Sequence, residues 1–180
     1  SIMKLILLIV LLNVTVATAY DRKNWKHWID EDKDCKNTRH ELLEQRSKIK
    51  VTYKKTKRGY CLVDKGEWDD YYYPEKITSA KKIDVDHVIP LKHASESGGS
   101  KWSKKQKTQF ANDPENLVLT NLKYNRQKGA KTISEWLPVY KDYACKYVQK
   151  WFYLKKKYSL EVSNDENKTK ELLKKSGCDL

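Results

Sequence analysis

The sequence lacks the marks of several common protein classes. It has no internal repeat and no low-complexity tract, so neither a repeat array nor a flexible linker divides it. Its four cysteines include no Cys-x-x-Cys pair, which argues against a zinc site or a thiol redox motif. Residues 5–12 form a continuous apolar run that is too short to span a bilayer comfortably, and no other segment could span one.

Residues 1–19 are predicted to form a secretory signal peptide. Met3 and Lys4 precede the apolar run, and small residues end the segment at Ala17-Thr18-Ala19. A charged start, a short apolar core and an Ala-x-Ala end are typical of a cleavable leader. The alternative is an uncleaved anchor. Cleavage after Ala19 would leave residues 20–180 as one domain, large enough to bury a single core and free of the membrane.

The cysteines indicate an oxidising compartment. They are Cys35, Cys61, Cys145 and Cys178. An even number behind a signal peptide predicts two disulfides, in the periplasm or outside the cell. Three pairings are compatible with the sequence. The sequential pairing would close two loops of roughly 30 residues, each worth about 3.5 kcal/mol in the loop-entropy description.

The charge balance is strongly basic. Lys and Arg number 37 against 24 Asp and Glu, which gives a net charge of +13. Such a surplus favours a polyanionic partner, above all nucleic acid. An anionic membrane surface, an acidic polysaccharide and plain solubility are the alternatives.

Hydrophobic patterning predicts an α+β fold. The tryptophans Trp25 and Trp28 stand at helical spacing near the start of the domain. The other predicted helices cover residues 38–47, 103–111, 121–128, 139–158 and 165–175. The predicted strands cover residues 51–53, 60–63, 83–89 and 117–120, of which the first two would form a small hairpin.

The residues that carry chemistry concentrate between residues 81 and 132. His87 is the candidate base, because the pKa of an unperturbed imidazole lies near neutrality. Asp86 and Asn125 offer the hard oxygen ligands that Mg²⁺ or Mn²⁺ prefers. Lys128 lies three residues beyond Asn125 on the same helix face, where it would contact a phosphate or a leaving oxygen. A base, a divalent cation and a lysine are what phosphodiester hydrolysis requires.

One feature complicates this site. Adjacent residues of a regular strand point to opposite faces, so Asp86 and His87 can share a site only if the strand breaks there. Pro90 makes a bend reasonable, and Asp84 is a reserve ligand or a support for the ligands. An isolated Asp-His pair is usually a surface pair, so the order and spacing of the whole set carry the hypothesis.

These residues resemble the HNH endonucleases, whose ββα-metal motif places two short strands and a helix around one divalent ion. Asp86-His87, followed by Pro90, resembles the first strand, with a metal ligand beside the general base. Asn116 matches the middle asparagine that ties the connecting loop, and Asn125 matches the last metal ligand. This resemblance gives Asn116 a catalytic-site role that its position alone does not indicate.

The resemblance extends over most of residues 25–178 and is to secreted HNH nucleases related to the C-terminal domain of GmrSD-type restriction enzymes. Further matching segments are residues 28–41, 61–68, 97–102, 110–117 and 125–138. The resemblance implies an α+β fold with a ββα-metal core at residues 81–132, additional N- and C-terminal helices, and metal-dependent cleavage of DNA.

Two further groups of side chains are candidates for binding. Asp30, Asp32 and Asp34 are spaced as in a calcium-binding EF-hand loop, although Cys35 replaces the usual glycine, and a solvated acidic loop is the alternative. Arg126 and a basic run around residue 104 are predicted to bind the substrate. That run contains Lys101, Lys104 and Lys105 and would hold phosphates without sequence preference, unless it is a solvated helix face.

The sequence therefore predicts a secreted, monomeric, metal-dependent endonuclease that prefers DNA to RNA. The alternatives are a secreted ribonuclease or toxin nuclease, and a basic protein that binds nucleic acid or glycan without catalysis.

Overall fold

The computed structural model describes residues 19–57 and 59–180. The predicted signal peptide lies outside the described residues, apart from Ala19. Within the described ranges, no helix combines the length and apolar character needed to cross a bilayer.

The fold is mixed α+β, as the patterning predicted. The helices are α1 (Thr38–Arg46), α2 (Leu91–Glu96), α3 (Lys104–Asn112), α4 (Leu122–Lys128), α5 (Lys141–Lys157) and α6 (Asn164–Lys175). The strands are β1 (Thr52–Thr56), β2 (Gly59–Asp69), β3 (Lys76–Ser79), β4 (Ile83–His87) and β5 (Leu117–Asn121).

The strands form two antiparallel sheets. One has the order β1-β2-β3, and β4 pairs with β5 in the other. In the second sheet Asp86 lies opposite Val118, and His87 lies opposite Leu117. The connection between β4 and β5 carries α2 and α3, whereas α4 follows β5 directly and contacts both strands. This arrangement brings α4 beside the end of β4.

Local capping signals account for two helices near the site. Ser103 accepts a hydrogen bond from the Gln106 N–H, and Gln106 returns one to the Ser103 N–H, which completes a capping box at the start of α3. Asn121 caps α4, and Gly129 ends it with φ of 55°. Both predicted helix starts are confirmed.

The segment of residues 20–29, which we call the amino-terminal strap, is not helical. Only Arg22–Asn24 forms a turn of 3-10 helix. Trp25 packs in the core against Trp102 and Phe110. Trp28 instead packs at the edge of the second core cluster, with a φ of 57°. Because the two rings enter different clusters, their helical spacing is misleading.

The sequence pattern did not predict two short elements, β3 and α2. The strand β3 has one buried apolar residue, Ile77, and completes the first sheet only through its pairing with β2. The helix α2 has six residues and begins directly after Pro90. Elements this short offer too few periodic positions to be recognised in sequence.

Two disulfides link distant parts of the chain in the sequential pairing. Cys35 bonds to Cys61 across 26 residues and ties the loop after the strap to β2. Cys145 bonds to Cys178 across 33 residues and ties α5 to the carboxyl terminus. The described residues contain no free cysteine.

A buried ion pair joins the last two helices. Lys155 of α5 and Glu166 of α6 are each 1% exposed, and their charged atoms lie 3.0 Å apart. Glu166 also accepts hydrogen bonds from Trp151 at 2.6 Å and from the Ser163 N–H at 2.7 Å. Burial alone would raise the pKa of Glu166, but hydrogen bonds from His93 and Ser163 and the charge of Lys155 lower it to about 2.

Candidate active site

A cleft of about 380 Å³ opens where β4 ends beside α4. We call it the His87 cleft. The residues that line it are Tyr20, Arg22, Val85, Asp86, His87, Pro90, Leu91, Lys92, Asn125, Gly129 and Ala130. The structure thus brings together Asp86, His87 and Asn125 as predicted, although nearly forty residues separate His87 from Asn125.

His87 is held in one orientation. Its Nε2 lies 2.9 Å from the carbonyl oxygen of Ala111, at the end of α3. A carbonyl can only accept a hydrogen bond, so Nε2 must carry the hydrogen and Nδ1 keeps its lone pair. The ring also stacks on Trp28, with centroids 6.0 Å apart and planes at 25°. These contacts present Nδ1 as a proton acceptor.

The surroundings keep His87 neutral. Burial is the main cause that lowers the pKa of His87, the hydrogen bond to Ala111 opposes it, and the nearby His27, Lys128 and Arg22 add to it. The net result is a pKa of about 3. A neutral imidazole is the form that can act as a base at neutral pH. A phosphate anion bound beside the ring would raise this pKa, because an opposite charge favours imidazolium.

Asp86 is fixed through one of its two oxygens. Its Oδ2 accepts a hydrogen bond from the Tyr72 hydroxyl at 2.7 Å and lies 2.9 Å from Lys128 Nζ. Among the described residues no hydrogen-bond donor contacts Oδ1. This leaves one hard oxygen of Asp86 for a ligand. The expected break in the strand is absent, because β4 keeps its register through His87. Asp86 contacts α4 through Lys128 and His87 contacts the end of α3 through Ala111, and both residues line the cleft at the end of β4.

Lys128 contacts the site from inside the protein. Its side chain is fully buried, and Nζ donates to the His87 carbonyl at 2.8 Å as well as pairing with Asp86. We expected Lys128 to contact a phosphate directly. The structure instead places it behind Asp86, because α4 packs its last turn against β4.

Asn125 is oriented by Asp84. Its Nδ2 donates to Asp84 Oδ2 at 2.9 Å. An ionised carboxylate only accepts hydrogen bonds, so the amide nitrogen must face Asp84 and the amide oxygen turns away from it. No donor within the described ranges contacts that oxygen. Asp84 is therefore placed as a support for Asn125.

Asn116 fixes the chain that follows the base. It is fully buried, and its Oδ1 accepts the Ile89 N–H at 2.9 Å while its Nδ2 donates to the Ile89 carbonyl at 3.3 Å. Its own carbonyl accepts the Val88 N–H at 2.8 Å. These bonds tie the chain just before β5 to the chain just after β4.

The expected substrate-binding cations do not line the His87 cleft. Lys104 and Lys105 border a separate groove of about 830 Å³ along α3. Lys101 and Arg126 are exposed, but neither is among the residues that line the cleft. The cations that do line it are Arg22 and Lys92, which the sequence pattern did not single out.

The three aspartate side chains of the acidic loop lie close together, as their spacing suggested. One carboxylate oxygen from each of Asp30, Asp32 and Asp34 lies within 4.8 Å of the others. Cys35 has a φ of 75°, the left-handed conformation that glycine would favour at that position. Lys36 pairs with Asp34 at 3.5 Å, so a cation already neutralises part of this charge. The calcium site stays a prediction.

A carbonyl-bonded histidine beside a carboxylate oxygen and an amide oxygen defines a candidate hydrolytic centre. Residues 21–175 match the family of GmrSD restriction endonucleases, C-terminal domain, and the chain belongs to this family, which confirms the resemblance. An uncharacterized secreted protein of Arthroderma benhamiae is 33% identical over 150 residues, which cover 82% of this chain and 70% of that protein. No solved structure matches the chain.

Proposed function

We propose that this protein is a secreted endonuclease that hydrolyses phosphodiester bonds at an HNH-type ββα-metal centre. Membership in a family of restriction endonuclease domains supports a nuclease. The relative from Arthroderma benhamiae is described as secreted, and two disulfides suit an oxidising compartment. The protein is therefore secreted, and its substrate is nucleic acid.

The bond between His87 Nε2 and the Ala111 carbonyl carries the catalytic proposal. It fixes the tautomer in which Nδ1 can accept a proton, in a residue that lines the cleft with Asp86 and Asn125. His87 Nδ1 takes a proton from the attacking water. The Ala111 carbonyl then stabilises the imidazolium through the same hydrogen bond.

The donor set fits a divalent metal ion. One oxygen of Asp86 and the amide oxygen of Asn125 are hard ligands without a hydrogen-bond donor in the described part of the chain. Mg²⁺ or Mn²⁺ suits two such ligands with waters and phosphate oxygens completing the shell. When bound, the ion would stabilise negative charge on the phosphate and the leaving oxygen. Tyr72 and Lys128 hold Asp86, and Asp84 holds Asn125.

DNA is the proposed substrate, with RNA as the second candidate. The net charge of +13 favours either polyanion, and backbone contacts would give little sequence preference. Supercoiled plasmid and structured RNA should each be incubated with Mg²⁺, Mn²⁺ or Ni²⁺, and again with EDTA. We expect plasmid nicking that EDTA abolishes. RNA cleavage alone would assign a ribonuclease.

The His87→Ala variant tests the base. It should lower cleavage by about 10²-fold or more, since general bases contribute that much, while plasmid binding changes little. His40→Ala is the matched control, because His40 is half-buried in α1 and lies outside the cleft. Salt-sensitive binding by the wild-type protein without cleavage in any metal would instead identify a non-catalytic binder.

A further inference from the structure

Besides the proposed metal ion, a cationic side chain that reaches the phosphate would stabilise its charge in the His87 cleft. Lys128 is buried behind Asp86, and its ammonium already contacts two acceptors. Arg126 lies outside the cleft wall, and the lysines of α3 border another groove. The charges on a cleaved phosphodiester increase toward the transition state, so a cation placed there contributes directly to the rate.

Arg22 of the strap meets this need by its position. It is exposed and lines the cleft together with Asp86, His87 and Asn125. Its Nη2 lies 3.4 Å from His27 Nε2. His27 Nδ1 lies 3.0 Å from the Trp25 carbonyl and must donate to it, so His27 Nε2 accepts from the guanidinium.

The guanidinium of Arg22 keeps donors for a ligand. Burial raises the pKa of Tyr20, which lines the same cleft, and the positive charge of Arg22 opposes this rise. Across residues 19–57 and 59–180, no Asp or Glu forms a salt bridge with Arg22. Five N–H groups in a planar fork suit two oxygens of one phosphate.

The fold fixes the strap that carries Arg22. Trp25 is 1% exposed in the core, and the Asn112 side chain donates to the Lys26 carbonyl at 2.9 Å and accepts the Ile29 N–H at 3.3 Å. Asn112 follows Ala111, whose carbonyl holds His87. The end of α3 therefore supports both the strap and the base, which keeps them in register.

The other cation of the cleft is less suited. Lys92 has a side chain that is 55% exposed, and its ammonium lies 3.8 Å from Glu96 on the next turn of α2. It has a compact charge on a flexible stem and an acidic neighbour.

We propose that Arg22 is a catalytic residue that binds the non-bridging oxygens of the scissile phosphate and stabilises their charge during cleavage. This inference rests on the proposed function. It assigns a reaction-centre role to the strap, which lies far from the ββα segment in sequence.

The test compares Arg22→Ala, Arg22→Lys and Lys23→Ala in the full secreted protein. Lys23 belongs to the same turn and carries the same charge, but it does not line the cleft. Cleavage should be measured on plasmid and on bis(p-nitrophenyl) phosphate, which has one phosphodiester and no further backbone. Removing one transition-state donor costs about 10²-fold.

We expect Arg22→Ala to lower kcat by about 100-fold on either substrate, with a rise in plasmid KM of at most about tenfold and little change in the thermal midpoint. Arg22→Lys should recover part of the rate, and Lys23→Ala should stay within about threefold of wild type. A rise in plasmid KM alone, with kcat unchanged, would overturn the proposal in favour of a remote backbone contact.

A binding measurement separates this proposal from the proposed function. Affinity for a short phosphorothioate oligonucleotide should be compared between His87→Ala and the Arg22→Ala/His87→Ala double variant. An affinity about tenfold lower for the double variant than for His87→Ala supports a phosphate contact at Arg22. If the wild-type protein cleaves nothing but this difference in affinity is found, the proposed function fails and the assignment of Arg22 stands. Equal affinities together with equal rates refute the assignment of Arg22.

Discussion

Asn116→Ala should destabilise the protein and slow cleavage together. The fully buried Asn116 amide makes two hydrogen bonds to the backbone of Ile89, at 2.9 and 3.3 Å. Truncation leaves the Ile89 N–H and carbonyl without these partners. An unsatisfied buried polar group costs about 1–3 kcal/mol, and the longer bond contributes less, so we expect a loss of about 2–4 kcal/mol.

The free energy of unfolding should be measured by urea titration at fixed metal concentration. A loss of that size corresponds to a fall of about 4–16 °C in the midpoint of thermal unfolding for a chain of this length. Asn116→Asp should be worse than alanine, because a buried carboxylate would face the Ile89 carbonyl.

Cleavage should be assayed well below the lowered midpoint, so that the variant is folded. We expect a slower kcat even there, because the chain after His87 loses its tie to the chain before β5. Asn167→Ala, which removes an exposed amide from α6 and leaves Ile89 paired, is the comparison. If Asn116→Ala unfolds at the wild-type urea concentration, the reasoning about the buried amide is refuted.

Three further predictions concern the supports of the fold and site. Glu166→Gln leaves Lys155 buried without its counter-charge and should lower the free energy of unfolding by about 3–5 kcal/mol. Adding Lys155→Met should recover much of this loss, which a urea titration measures. The pKa of Glu166 in the folded protein, about 2, lies below its ordinary value of 4.5. The ionised carboxylate therefore stabilises the fold fully above pH 4.5, and this stabilisation is lost as the pH falls toward 2. Glu166→Gln should flatten that part of the curve of stability against pH, and an unchanged curve would contradict this linkage. Asp84→Asn should raise the metal concentration needed for half-maximal cleavage by about tenfold, without a change in unfolding midpoint, because Asn125 loses its fixed orientation. An unaltered metal requirement would show that Asn125 needs no support.

Local chemistry made much of the fold predictable. Ser103 and Asn121 carry cap signals that depend on neighbours a few residues away, and Gly129 provides the backbone freedom that ends α4. The apolar stripe of α5 repeats at helical spacing over four turns. Each of these signals lies within one continuous stretch of residues, so it can be recognised from the sequence alone.

The contacts that hold the site residues in place could not be predicted from local sequence patterns. The contact between Tyr72 and Asp86 joins residues 14 apart in sequence, and no local pattern marks Tyr72 as a donor rather than a packing residue. The stack of Trp28 on His87 joins residues that are far apart in sequence and depends on where the strap places Trp28. The spacing of Lys128 from Asn125 gave its helix face correctly, but not that this face is buried against β4.

The Cys35–Cys61 and Cys145–Cys178 bonds have a consequence for the cell that makes the protein. Two cross-links over 26 and 33 residues contribute roughly 7 kcal/mol in total, which is comparable with the whole stability of an ordinary domain. Before export the thiols are reduced, and the chain lacks this contribution. Under the proposed function, the protein would therefore be least stable before export, in the compartment that holds the cell's own nucleic acid, and would reach its full stability only after export.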